Sequence, residues 1–179
     1  MTTIPLPTLF APAERESPGE VCTQSEKIAQ TPHIGVLLDC IAAPAMIVNG
    51  ARQLVAANQQ LTKLLRHPQE MLIGLRLGEM FNCIHGNEEP AGCGTTIYCR
   101  ACGGVKALLN SWNGSVPDAQ DCRMVRGTQL GMQVLDLHVT ATPLFIDGQH
   151  FTVVVLTDIC RQPFLRQDPF AEDGSDFGE

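Results

Sequence analysis

The chain is short of positive charge. Across its 179 residues, 12 Lys and Arg face 19 Asp and Glu, for a net charge of -7. A nucleic-acid groove needs a basic stripe, so this balance excludes nucleic acid as the direct partner. The shortage is also uneven, because Asp168, Glu172, Asp173, Asp176 and Glu179 crowd the end of the chain with no base among them. Without that segment the remainder is only about -2. Long apolar runs are missing as well. Nothing approaches the roughly 18 to 20 residues that a bilayer span requires, so no membrane partner is expected. The opening "MTTIPLPTLFAPAERESPGE" has no basic n-region and is broken by prolines, so it does not read as a secretory signal. A cytoplasmic location follows as the expectation, and there thiols stay reduced. There is no internal repeat. What is present is a globular composition, 44% hydrophobic and 17% charged, enough for one domain with a real core.

Against that ordinary background stand eight cysteines, four of them within "CIHGNEEPAGCGTTIYCRAC", residues 83 to 102. Cys83, Cys93, Cys99 and Cys102 follow the spacing C-x9-C-x5-C-x2-C. In a reducing compartment such clustering points to metal or redox chemistry before structural disulfides. The C-x-x-C pair at a helix start can turn both sulfurs to one side, and Gly92 and Gly94 let the backbone turn tightly around Cys93. Four thiolates suit an iron–sulfur cluster or zinc on ligand type. The glycine surroundings favour the cluster, since amides aimed at sulfur tune its potential. His85 is a candidate replacement ligand or second donor, with an exposed loop histidine as the plain alternative. A haem ranks below both metals, since C-x-x-C-H is absent. Of the other cysteines, Cys40 reads as a buried small hydrophobe, Cys122 and Cys160 as core or edge of a sheet, and Cys22 as an exposed thiol. None has ligand spacing.

The rest of the chain divides into three. Residues 1–32, with five prolines and no sustained periodicity, read as a flexible leader. Residues 33–160 read as one domain, and 161–179 as an acidic flexible tail. Within the domain, "IGVLLDC" suggests a short helix and Ala45 to Val48 a strand. Asn49-Gly50 offers a tight hairpin into a second strand, Arg52 to Ala56. Asn58 is a natural N-cap for "QQLTKLLRH", whose Leu61, Leu64 and Leu65 share one face. "YCRACGGVKALLNSW" reads as a helix with Cys102, Val105, Leu108, Leu109 and Trp112 inward. Gly103 and Gly104 weaken it by roughly 1 kcal/mol each, which is easier to explain if backbone passes close to something. Three strands follow: "DAQDCRMVR", "MQVLDLHVTATPLFI" with Leu135, Leu137, Val139 and Ala141 on one face, and the doubly apolar "HFTVVVLTDI" after an Asp147-Gly148 turn. The order gives an α+β fold: a five-stranded antiparallel sheet with short helices on one face. Asp136 and His138 lie on the polar side of a strand with no nucleophile placed beside them, and Trp112 reads as core. Phe170 and Phe177 in the tail read as part of a solvated end or a short recognition segment.

With "AAPAMIVNGARQLVAANQQLTKLL" at 42 to 65 and "QVLDLHVTATPLFIDGQHFTVVVLTDI" at 133 to 159, the chain resembles a PAS domain, the small sensory fold of signalling proteins, over about residues 34 to 160. "GEMFNCIHGNEEPAGCGTTIYCRACGGVKALL" resembles a cysteine-bearing subset found in bacterial sensors, in which G-C-G-T precedes C-x-x-C, and Cys83, Cys93, Cys99 and Cys102 match that pattern. The resemblance implies a sensory, non-enzymatic protein that acts on a partner such as a histidine kinase, or on a second copy of itself. The chain shows no nucleotide-binding glycine loop and no phospho-accepting histidine motif, so a stand-alone sensor is the expectation. Three functions remain open at this point: a redox or gas sensor with a Cys-ligated centre, an interaction module with a structural zinc, and a thiol oxidoreductase using Cys99 and Cys102.

Overall fold

The computed structural model describes residues 6–158. Its order is α1 (Pro18–Gln30), α2 (Ile34–Asp39), β1 (Ala45–Val48), β2 (Leu54–Ala57), α3 (Gln59–Leu65), α4 (Gln69–Leu72), α5 (Leu77–Met80), α6 (Gly103–Gly114), β3 (Asp118–Thr128), β4 (Gly131–Ile146) and β5 (Gln149–Asp158). Single 3₁₀ turns at Ile84–Gly86 and Ile97–Ala101 punctuate the cysteine stretch. The five strands form one antiparallel sheet in the order β2-β1-β5-β4-β3. The strand that is apolar on both sides, β5, sits at its centre, as expected. Among the described residues no helix is long and apolar enough to cross a membrane.

Alternation along the strands feeds two cores. Met46, Val48, Leu137, Val139, Ala141, Val154 and Leu156 point to the face covered by α3, α5 and α6. Ala45, Ile47, Phe151 and their neighbours point to the other face, where Val21 and Ile28 of α1 and Leu38 of α2 cover them. The second face is where the fold exceeds the sequence reading. Residues 18–30, taken as flexible, are a helix with a complete capping box: Ser17 accepts from the Glu20 amide, the Glu20 carboxylate accepts from Ser17, and Pro18 takes the first turn.

Two further expectations change. The Asn49-Gly50 turn is not a two-residue hairpin. The connection runs from Asn49 to Gln53, held by the Asn49 side chain, whose Oδ1 accepts from the amides of Ala51 and Gln53, and the left-handed residue is Arg52 (φ 64°). The helix expected from Tyr98 begins only at Gly103, because residues 97–101 tighten into a 3₁₀ turn and Cys102 caps α6. The Asp147-Gly148 turn holds, with φ of 46° and 75°.

Candidate functional site

Cys83, Cys93, Cys99 and Cys102 all line one cavity of about 260 Å³ between α5, the 83–102 stretch, the start of α6 and the middle of β3. Each thiol is delivered by a different local device. Cys83 follows Asn82, a left-handed residue (φ 53°) whose side chain donates to Gly127 O at 2.9 Å, and Cys83 bridges Arg126 of β3. Cys93 is held through its backbone, with its amide donating to Glu79 Oε1 at 3.1 Å. Its sulfur accepts from the Gly78 amide at 3.3 Å. Gly78 has to be glycine, since a Cβ there would lie 2.8 Å from that sulfur. Cys99 shares a hydrogen bond with Thr96 Oγ1 at 3.3 Å. Cys102, at the amino end of α6, contacts the Cys122 sulfur at 3.7 Å. The two glycines that follow it fit the expected close approach: a Cβ on Gly103 would run into the Asp121 carbonyl, and Gly104 faces the sulfurs of Cys122 and Cys102.

Burial works against ionisation of two of these thiols. It pushes Cys83 up and Cys93 up to about 12, the latter opposed by the Gly78 amide. Cys102 is the exception. Its contact with Cys122, helped by the amides of Val105 and Gly104, brings it down, while the same contact and burial push Cys122 up.

The other wall is cationic. Arg76 is 1% exposed and donates to five backbone carbonyls: Ala51, Ala91, Cys93, Ala13 and Glu14. Arg52, also buried, donates to the Pro12 carbonyl at 2.7 Å and lies against Gly94, where a Cβ would be 3.2 Å from its Nη2. Burial lowers both, and Arg52 and Arg15 bring Arg76 further down, to about 10. The nearby carboxylate, Glu79, pairs with Arg15. No aspartate or glutamate is among the described residues lining the cavity. A buried pair of guanidinium groups with this little compensation suits an anionic neighbour.

The same arginines bind the leader. Leu9 N donates to Thr95 O at 2.8 Å and Ala11 N to Gly94 O at 3.0 Å, so residues 9–11 run as a short strap beside the Cys93 turn. Arg100, Arg52 and Arg76 hold its carbonyls from Leu9 to Glu14. Ala11 packs with Cys93, Cys99 and Val105 in a small core of its own.

His85 lines the cavity too. Its Nδ1 is bonded to Glu88 at 2.8 Å and its ring stacks on Tyr98 at 4.2 Å, an arrangement that leaves Nε2 for a ligand. The sequence reading missed Arg52, Arg76 and Gly78. The signal for Arg76 was a lone cation inside the apolar run "MLIGLRLGEMF", a placement that demands buried partners. Arg52 was hidden by the strand assigned to it.

The remaining candidates separate cleanly. Cys122 is buried next to the cluster and Cys22 is exposed, but Cys40 is exposed rather than buried, since α2 turns only Leu38 fully inward. Cys160 and the acidic tail lie outside the described residues. His138 bonds Asp121 at 2.7 Å across β3 and β4, and Asp136 faces Arg123 at 3.4 Å; both pairs lie at the surface. Trp112 stacks on His150 at 4.0 Å. Among the described residues, no three His, Cys, Asp or Glu side chains converge tightly enough to hold a single metal ion.

No protein-family model and no characterised protein matches the chain by sequence. Solved structures do match the fold. The LOV protein of Rhodobacter sphaeroides aligns with 78% of this chain and 69% of its own, at 13% identity and a TM-score of 0.50. The PAS domain of nitrogen regulation protein NR(II) from Vibrio parahaemolyticus aligns with 70% of this chain and 96% of its own, at 16% identity and TM-score 0.47. The PAS domain of BvgS from Bordetella pertussis covers 73% and is covered to 85%, at 13% identity and TM-score 0.46. The five-stranded antiparallel sheet with its short helices is PAS-like.

Proposed function

We propose that this chain is a sensory module whose signal is read at a thiolate-ligated metal centre in the 260 Å³ cavity, with Cys83, Cys93, Cys99 and Cys102 as ligands. The observation that carries the reading is that all four line one cavity together with two buried arginines, Arg52 and Arg76. A centre with four thiolates is anionic and soft, which is what such arginines compensate. A single zinc would need its sulfurs within about 3.8 Å of one another, given bonds of about 2.3 Å. An iron–sulfur cluster is favoured because its redox state can change, and a sensor requires two states. Here the Gly78 amide orients and polarises the Cys93 sulfur, Arg52 and Arg76 offset charge, and Val105 and Leu108 supply apolar lining. His85 stands by as an exchangeable fifth donor.

The signal is redox state or a gas that attacks the cluster. The output runs through the strap, because residues 9–14 are fixed by Arg52, Arg76, Arg100 and the 94–95 backbone, and they lead directly into α1. A partner signalling protein, a histidine kinase among the candidates, or a second copy of the chain receives it.

The test is anaerobic reconstitution with iron and sulfide of the four single Cys→Ala variants beside Cys22→Ala and Cys40→Ala. Loss of iron and sulfide uptake in the first four and normal uptake in the last two supports the assignment. Equal uptake in all six refutes it.

A further inference from the structure

We infer that Cys102 and Cys122 form a hydroperoxide-reactive dithiol, closing to a disulfide that removes Cys102 from the cavity wall. Two sulfurs 3.7 Å apart need to approach by only about 1.7 Å to reach bonding distance. The geometry also says which one moves. Cys122 is fixed in β3, with 1% of its surface exposed and its Cα paired with Leu137 of β4. Cys102 sits in the joint between the 3₁₀ turn and α6, its backbone extended (φ -73°, ψ 115°) and belonging to neither element. It faces the cavity, from which a small oxidant can reach it, and Cys122 stands behind it.

The C-x-x-C spacing would nominate Cys99 as the partner. The structure assigns otherwise: the Cys99 sulfur is bonded to Thr96 Oγ1, and the sulfur beside Cys102 is that of Cys122. Bulk beside the pair is minimal, since position 104 is glycine.

The chemistry needs a hydroperoxide and nothing else. The Cys102 thiolate attacks the outer oxygen: an S–O bond forms, the O–O bond breaks, and the departing alkoxide or hydroxide takes a proton. Cys122 then attacks the sulfenic sulfur: the S–S bond forms, the S–O bond breaks, and the hydroxyl leaves as water with the Cys122 proton. Two thiols and one hydroperoxide become one disulfide, one alcohol (or water) and one water. The inference deepens the proposed function, because a closed disulfide withholds one ligand and bars a lost cluster from rebuilding until a thiol reductant reopens it.

The experiment is peptide mapping of the full chain, purified without oxygen, treated with a small excess of hydrogen peroxide, then alkylated in denaturant. The expected result is a linked pair of peptides carrying Cys102 and Cys122, and in Cys122→Ser a Cys102 sulfenate trapped by dimedone with that link lost. Linkage of Cys102 to Cys99 or Cys93 in the wild type, or Cys102 recovered as a free thiol, overturns it. Circular dichroism of Cys122→Ser confirms that the variant folds, and the wild-type map stands without it. Iron and sulfide uptake by the same preparation tests the cluster separately: a Cys102–Cys122 link in protein that never takes up iron sustains this inference while refuting the cluster.

Discussion

Asn58 and Arg76 are both 1% exposed, and each side chain makes five hydrogen bonds to the backbone. Asn58 accepts from the amides of Ala45 and Leu61 and donates to the carbonyls of Leu38, Ile41 and Ala43, tying α2, β1 and α3 together. Arg76 ties the strap, the Ala51 turn and the Cys93 stretch together, using donors alone. Asn58 is neutral and satisfied by the chain. Arg76 brings a charge into a region that already holds Arg52, with Glu79 shared with Arg15. The sheet half thus has an uncharged buried hub, whereas the cavity half buries two guanidinium groups. The main core reaches the cavity through Leu77, Leu108 and Met124, and Ala11, Cys93, Cys99 and Val105 form a smaller core beside it.

The comparison breaks most readily at its charged hub. Arg76→Ala leaves five carbonyls without their donor and is expected to cost about 3 to 5 kcal/mol in urea unfolding, with the strap cut by protease at far lower protease concentration than in the wild type. The neutral hub gives the matching contrast. Asn58→Ala is expected to lose about 2 to 4 kcal/mol, yet the folded fraction should still take up iron and sulfide normally. If it does not, the two halves are not separable in the way described here. Gly78→Ala sharpens the difference from the other side. Its methyl group would meet the Cys93 sulfur at 2.8 Å, so uptake should be lost while stability falls by only about 1 to 3 kcal/mol.

How much of this was legible depends on which half is read. Alternation at Leu135, Leu137, Val139 and Ala141, the doubly apolar β5 and the Asp147-Gly148 turn follow from side-chain period and turn chemistry alone, and they locate the sheet. The four cysteines announced themselves by spacing. The cavity's other wall did not, because Arg52 and Arg76 act through backbone carbonyls, which leave no residue signature. The strap escaped for the same reason: its hydrogen bonds come from its own amides and carbonyls. The capping box at Ser17 and Glu20 was readable and was masked by the prolines around it. Cys122 shows the limit of sequence spacing, since only strand register brings it beside Cys102.

Smaller effects refine the contrast. Arg52→Gln should leave the fold and metal uptake intact while removing a positive charge beside the thiols. A cluster there becomes harder to reduce, with a downward shift of the midpoint potential of about 59 mV for each tenfold change in a one-electron equilibrium; Arg52→Lys should restore much of it. The smallest effect belongs to the sheet surface. His138→Ala removes the exposed pair with Asp121 and should change stability by less than about 1 kcal/mol in thermal unfolding, with no effect on the cavity.

Elemental content decides whether the four thiols hold a redox-active centre. The full chain purified without oxygen should contain iron and acid-labile sulfide in matched amounts, with broad visible absorption that bleaches in air. Zinc at one ion per chain in a colourless protein, or no metal even after anaerobic reconstitution, would contradict it.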